Sequence, residues 1–304
     1  MGQEHAAEEI DLARLAAQAK LGFNQDRGVA ALELRRVTGS VGGAQPKALV
    51  TLEPRTGRFW VGAVECEGGV PLILKFQDDA DDDTPLLEHA LSLTAKRCGI
   101  DAVDSMLVSG KDRQGRILNH FAAKRFDIRD SQRVHYLSFA GATEGKYGIG
   151  EAASADYVHV LTATVRLSRD VRAGEEMLRR AIFNVAVANI DDHIRNHGFL
   201  FDGKEWHPAP AFDLIHAAIT ETTERAMPVA GRVSNIMRAD IERLIAQAGL
   251  PRQAADRALE QVGAGLKEFF AVAAAATLLL ENAIAEIAVG IEQRYRNMTD
   301  DTLT

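Results

Sequence analysis

Apolar residues recur with a helical period over residues 8–20, where Ile10, Leu12, Leu15 and Ala16 share a side. The pattern then turns strand-like. Residues 29–37, 48–53, 58–64 and 70–76 are short runs rich in Val, Leu, Ile and Phe. Turn chemistry at Pro54 to Gly57 and at Glu67-Gly68-Gly69 separates the last three. Residues 85–98 return to a helical period, with Leu87, Ala90, Leu91 and Thr94 toward a core and Pro85 in the first turn. Two further strands are expected near 103–108 and 117–123, around a turn at Lys111 to Gly115. An irregular stretch opens at Phe126 and is Gly-rich from 141 to 150.

From there the period is helical. Helices are expected at 155–167 and 174–190, and the second is apolar on nearly every side from Ala181 onward, as a buried central helix would be. Gly198-Phe199-Leu200-Phe201, an Asp202-Gly203 turn and a second short run read as a hairpin. Helices at 237–248, 251–264 and 266–297 complete the chain, with Pro251 marking the start of the second. The fold class is α+β, with a strand-rich half over 1–130 and a mainly helical half over 131–304.

Composition narrows the function classes. The chain has 304 residues, enough for two lobes, and is 46% hydrophobic and 26% charged, as globular proteins are. A formal net charge of −8 gives no support for whole-surface nucleic-acid binding. The most apolar stretch, 269–287, is broken by Glu281, Asn282 and Glu286, so no membrane span is expected. The N-terminal residues are acidic and lack the apolar run of a secretory signal. Cys66 and Cys98 lie far apart with no CxxC spacing, which favours reduced thiols and a cytoplasmic location.

The candidate chemistry centres on Asp191-Asp192-His193-Ile194-Arg195-Asn196-His197, the hairpin after it, and Asp213 beyond. Asp-x-x-x-x-Asn, a hairpin, then Asp suits phosphoryl transfer: one carboxylate orients a hydroxyl, while an amide and a second carboxylate hold Mg²⁺. A hairpin returns the chain to its start, so Asp213 can meet Asn196. Such a site also needs cations for phosphates. Lys75 ends an apolar strand, where it must find an anion or reach solvent, and Glu88 on the next helix is the nearest suitable carboxylate. The loop Thr38 to Lys47 carries Gly39, Gly42 and Gly43, whose backbone amides can approach an anion, though the same residues also make an ordinary hairpin turn. Its spacing is not that of a Walker loop. A competing reading takes His193 and His197, spaced i,i+4, with Asp191 or Asp192 as metal-hydrolase ligands, but Gly198 ends the helix and no Glu stands between them. The Asp191-Asp192-His193 run also suits a helix-capping cluster. The acidic run 77–83 reads as a solvated loop, and His207 and His216 as structural or surface residues.

These segments together resemble the HipA-like toxin kinases. The resemblance rests on Ser40-Val41-Gly42-Gly43-Ala44-Gln45-Pro46-Lys47, Leu74-Lys75-Phe76, Lys124-Arg125-Phe126-Asp127, the Asp191 to Asn196 segment, and Ala211-Phe212-Asp213-Leu214, all in the family's order. It implies a two-lobed, protein-kinase-like Ser/Thr kinase using ATP and Mg²⁺. By that likeness Gly42, Gly43, Ala44, Gln45 and Lys47 form the phosphate loop and Lys75 contacts ATP phosphates. Asp191 is the base, His193 lies near the phosphates, and Asn196 and Asp213 bind Mg²⁺. Phe126 packs on adenine and Asp127 lies near the ribose.

The family's activity is that of the toxin in a type II toxin–antitoxin system, whose known targets include aminoacyl-tRNA synthetases. The resemblance therefore implies a protein substrate and a helix-turn-helix antitoxin as partner, with DNA met only indirectly. Three departures matter. Only 39 residues precede Ser40, fewer than in the longer members, and the resemblance implies either a short form like the split HipT kinases, whose N-terminal subdomain is a separate small protein, or a truncated chain. Gly42 stands where many members carry an inhibitory phosphoserine, whereas Ser40 matches the phosphorylatable serine of split members and is the autophosphorylation candidate. Phosphate there would repel ATP or expel the loop. Lys124 stands where the family often has glutamate. A catalytically weak, antitoxin-binding relative and a small-molecule kinase are the alternatives.

Overall fold

The computed structural model describes residues 15–16, 47–62, 68–112, 114–144, 146, 155–220 and 223–300. Contacts divide the chain into two compact units, one of 1–89 with 104–132, the other of 90–103 with 133–304.

The first unit is built on an antiparallel five-stranded sheet. Its strands are β1 (Lys47–Glu53), β2 (Arg58–Val61), β3 (Val70–Lys75), β4 (Ser105–Lys111) and β5 (Ile117–Lys124), in the spatial order β2-β1-β3-β5-β4. Gly57, at φ +71°, closes the β1–β2 turn by donating its N–H to the Glu53 carbonyl at 2.9 Å. Ala48, Val50, Leu72, Leu74 and Ala122 point to one buried face, and Leu15 and Ala16, which are helical, join that core. The rest of the expected 8–20 helix, the 29–37 strand, and residues 63–64 lie outside the described residues. Helix α1 (Thr84–Arg97) begins in this unit, with Glu88 on its second turn. Short strands β6 (Ile128–Arg129) and β7 (Gln132–Arg133) follow β5.

The second unit is mainly helical. Strand β8 (His135–Ser138) and the four-residue helix α2 (Phe139–Ala142) lead to α3 (Tyr157–Ser168) and α4 (Val171–Ala186). Asp170 caps α4, accepting the Arg172 N–H at 2.9 Å, so the helix starts earlier than its apolar run suggests. From Ala181 to Ala186 every α4 side chain is buried. Helix α4 packs against α3, α6 (Gln253–Leu266) and α8 (Glu281–Thr299). Helix α5 (Arg238–Ala248) packs against α3. Gly265 lets α6 approach the backbone at the end of α1: a Cβ there would meet the Cys98 amide and the Arg97 carbonyl. Burial, and then the Glu268 charge, push the Cys98 thiol up to about 12, so it stays protonated.

One expectation is corrected, and the expected hairpin gains a third strand. The long 266–297 helix is two helices, α7 (Phe269–Ala276) and α8. They are separated where the Thr277 hydroxyl donates back to the Ala273 carbonyl at 2.7 Å and the chain turns extended. The hairpin is part of a three-stranded sheet: β9 (Gly198–Phe201) pairs with β10 (Trp206–Pro208) on one side and β8 on the other. No described helix is long and apolar enough to cross a membrane.

Candidate active site

In the first unit the chemistry sits at the ends of regular strands. The register sets Lys75 opposite Lys47 on β1 and opposite Phe121 on β5, so the three share a face of the sheet. Both lysines are 8% exposed. Lys75 Nζ lies 2.5 Å from Glu88 Oε1 and 5.5 Å from the Phe121 ring centroid. An ammonium at this depth needs such partners, since an unpaired buried charge is costly. Beyond β5, the Arg125 amide donates to the Pro71 carbonyl at 2.9 Å. The Arg125 guanidinium grips both oxygens of Asp127 in a fork of 3.0 and 2.6 Å. Asp127 is therefore engaged before any ligand arrives. Phe126, beside it, is half-buried. Gly42, Gly43, Ala44, Gln45 and Ser40 lie outside the described residues.

In the second unit the chemistry sits on two irregular loops. The first, 187–197, leaves α4 where Ala188 takes φ +55°, a left-handed value that non-glycine residues rarely adopt. The second, 209–217, follows the hairpin and holds Asp213 at φ +60°. The hairpin brings the loops together: the Ala209 N–H donates to the Gly198 carbonyl at 2.8 Å, the Ala217 N–H to the Ala188 carbonyl at 3.2 Å, and His216 Nδ1 lies 2.8 Å from the Val187 carbonyl. Asn189 Nδ2 donates to the Asp213 carbonyl at 3.3 Å. Two such residues stand on joined loops, and backbone strain of this kind gathers at functional sites, which makes these loops the candidate.

Asp191 and Asp192 have different surroundings. Asp191 is exposed. Asp192 is 2% exposed and accepts hydrogen bonds from the Tyr157 hydroxyl and, at 2.9 Å, from Asn184 Nδ2. His197 Nε2 lies 3.0 Å from the other Asp192 oxygen, at ion-pair distance but off the line of a hydrogen bond. Burial alone would raise the Asp192 carboxyl, but the pull of His197, the Tyr157 hydroxyl and the Arg225 guanidinium together hold it below the usual carboxylate range. Burial, and then the Asp192 charge, push the Tyr157 phenol well above its usual value, so it stays a donor. Asn184 Nδ2 also lies 3.1 Å from the Tyr157 hydroxyl, and its carbonyl accepts from Asn189 at 3.3 Å. An unbroken buried network thus runs from Tyr157 through Asp192, Asn184 and Asn189 to the backbone of Asp213.

Around it, Asn196 Nδ2 donates to the Asp191 carbonyl at 3.4 Å, which leaves Asn196 Oδ1 as the side chain's acceptor. His193 Nδ1 is buried with no hydrogen-bond partner among the described residues. His197 faces the Asp192 network rather than sharing a ligand set with His193, and no cluster of three or more His, Cys, Asp or Glu able to hold a metal exists among the described residues. The zinc reading therefore has no geometric support. Sequence reasoning missed Tyr157, Asn184, Asn189 and Arg180. Arg180, 3% exposed, donates to the Ala209 carbonyl at 2.8 Å and the Asp101 carbonyl at 3.3 Å, and so fixes the approach to Asp213. The available signal was two polar residues, Arg180 at the edge of and Asn184 within the apolar second half of α4.

Comparisons place this arrangement. Over 97% of its length the chain resembles a chain of the Shewanella oneidensis MR-1 toxin–antitoxin complex of HipA, HipB and operator DNA, with a TM-score of 0.69, 19% identity and 72% of that chain covered. It also resembles the Helicobacter pylori proinflammatory kinase CtkA, with a TM-score of 0.54 and 14% identity, over 75% of this chain and 87% of that one. At these identities the likeness shows the fold, which is α+β and protein-kinase-like. A Haemophilus influenzae protein named "Putative kinase" is 29% identical over 159 residues, 48% of this chain. The matched part is 46% of that relative, so the chain spans under half its length. The sequence profile of the HipA-like C-terminal domain matches residues 39–269, and on that match the chain belongs to the HipA-like C-terminal domain family.

Proposed function

We propose that the chain is a Ser/Thr protein kinase that uses ATP and Mg²⁺ and acts as the toxin of a toxin–antitoxin pair. The observation that carries this reading is the buried Lys75–Glu88 pair at 2.5 Å, on the strand and helix where a kinase holds its phosphate-binding lysine. The proposed lobes are 1–130 and 131–304.

The residues present fit a nucleotide and a hard cation. Lys47 and Lys75 share a sheet face, so two cationic groups are available on one side of the sheet for an anionic ligand. His193 Nδ1 is a buried ring nitrogen that, as an N–H, a phosphate oxygen would satisfy. Oxygen donors suit Mg²⁺, and Asn196 Oδ1 and the Asp213 carboxylate are of that type. ATP supplies the transferred phosphoryl group, and Mg²⁺ neutralises its charge. Asp191, exposed to an arriving protein chain, orients the substrate hydroxyl and accepts its proton. Lys75, positioned by Glu88, binds phosphate oxygens, and Lys47 with Gly42, Gly43, Ala44 and Gln45 lines the phosphate loop. Phe126 packs on adenine, and Asp127 meets the ribose with lone pairs that the Arg125 fork leaves over. Ser40 is proposed as the autophosphorylation site. Positioning and fixed charge supply most of the catalysis.

The solved relative with HipB and operator DNA supports an antitoxin partner with a helix-turn-helix. The net charge of −8 suits DNA contact through that partner. A separate small N-terminal-subdomain protein, a cytoplasmic location, and an aminoacyl-tRNA synthetase as substrate complete the reading. Brief expression of the wild type against Asp191→Asn, followed by phosphoproteomics, tests it. One protein phosphorylated strongly by the wild type alone is the expected result. No phosphosite dependent on Asp191 refutes the assignment.

A further inference from the structure

Behind the 187–197 loop, within the helical unit, lies a cavity of about 80 Å³. That is room for several waters or one phosphate-sized ion. Its polar lining is unusual in sign. Arg225 and Arg294 both line it, together with Thr220, Thr223, Ser234 and Asn297, and no carboxylate lines it among the described residues. Arg225 is 8% exposed and donates to backbone carbonyls, those of Met227 at 2.9 Å and Asn189 at 3.4 Å. Arg294 Nε donates to the Ala186 carbonyl at 2.7 Å, and its Nη2 is buried with no hydrogen-bond partner among the described residues. Neither guanidinium forms a salt bridge among the described residues. A buried guanidinium whose charge also acts on Asp192, and a half-buried one with a buried N–H left over, give this polar cavity a positive lining.

We propose that this cavity is a binding site for a small phosphate-type oxyanion, held between Arg225 and Arg294 with the hydroxyls of Thr220, Thr223 and Ser234 around it. Guanidinium forks match tetrahedral oxyanions, and hydroxyls supply the remaining donors. Burial holds the Arg294 guanidinium below its usual value, the direction expected of a cation whose counter-ion is missing. The site shares no residue with the nucleotide-binding set proposed above. It is nonetheless tied to the catalytic loop, because the two arginines hold the carbonyls of Ala186 and Asn189 on either side of the strained Ala188. An ion bridging both guanidiniums fixes those two arms together and stiffens the loop.

Titration of the purified chain with inorganic phosphate at constant ionic strength, read by calorimetry and by hydrogen exchange over 186–190, tests the proposal. One saturable site is expected, with exchange at 186–190 slowed on binding. Arg294→Gln weakens binding about tenfold or more, the loss of one charge-assisted contact. Lys75→Met leaves it unchanged. Ser234→Asp gives a second route should Arg294→Gln not fold: an internal carboxylate beside the arginines excludes phosphate and raises Tm. Binding lost in Lys75→Met but kept in Arg294→Gln would move the ion to the nucleotide site and overturn the proposal, as would no saturable binding. A small phosphomonoester run in parallel reads the source. Binding as tight as inorganic phosphate assigns the site to a phosphorylated metabolite, and weaker binding assigns it to the free ion.

Discussion

Lys75 and Asp191 are held in opposite ways. Lys75 stands on a strand laddered on both sides, by β1 and β5, and one carboxylate, Glu88, completes its surroundings. Asp191 stands on a loop with no ladder. The loop's carbonyls are met one at a time, by the amides of Ala217, Ala226 and Phe139 at 3.2, 2.7 and 2.9 Å, and its shape is fixed from beneath by Asp192 and its three side-chain partners. A regular element positions a group through its backbone, so one ion pair suffices. An irregular loop needs a buried polar network, and each member depends on the others.

The largest effects should come from breaking each device. Glu88→Ala and Asp192→Ala should each cost roughly 3–5 kcal/mol in urea unfolding, since each strands buried polar partners. The comparison sharpens in the double replacements. Lys75→Met with Glu88→Leu should recover most of the lost stability, because a buried ion pair replaced whole by apolar side chains strands neither charge. Asp192→Leu with Tyr157→Phe should not, because Asn184 and His197 still lack their acceptor. Equal recovery in both would erase the distinction.

Tyr157→Phe removes one donor to Asp192 and should cost roughly 1.5–3 kcal/mol, the range for a hydrogen bond to a charged group. Unfolding of that variant at neutral pH reads it directly. A smaller and more selective effect lies in acid. The folded Asp192 carboxyl titrates below its unfolded value, so its stabilisation is complete above the unfolded value near pH 4 and fades as pH falls through the folded one. Asp192→Asn should therefore lose less stability than the wild type between about pH 4 and 2. Parallel acid profiles would contradict the assignment.

Much of this was legible in the sequence. The sheet's first three strands follow from turn chemistry at Pro54 to Gly57 and at Glu67-Gly68-Gly69 and from the short apolar runs between them. The buried α4 follows from its apolar surround. Lys75 with Glu88 was legible because a lysine ending an apolar strand demands a nearby anion. The break between α7 and α8 was not, because Ala and Leu positions keep a helical period across Thr277–Leu280 and only the Thr277 hydroxyl marks the stop. The division of labour between Asp191 and Asp192 was not legible either. Adjacent carboxylates are alike in sequence, and what separates them is Tyr157, 35 positions earlier in the chain.

That division is also the most exposed part of the account. Purified wild type, Asp191→Asn and Asp192→Asn, incubated with Mg-ATP and a cell lysate, should be compared for phosphate transfer and for Tm. Asp191→Asn should keep the wild-type Tm and lose about 10²–10⁴-fold in transfer, the worth of a positioned base, while Asp192→Asn loses both. Transfer by Asp191→Asn at the wild-type rate would contradict the account.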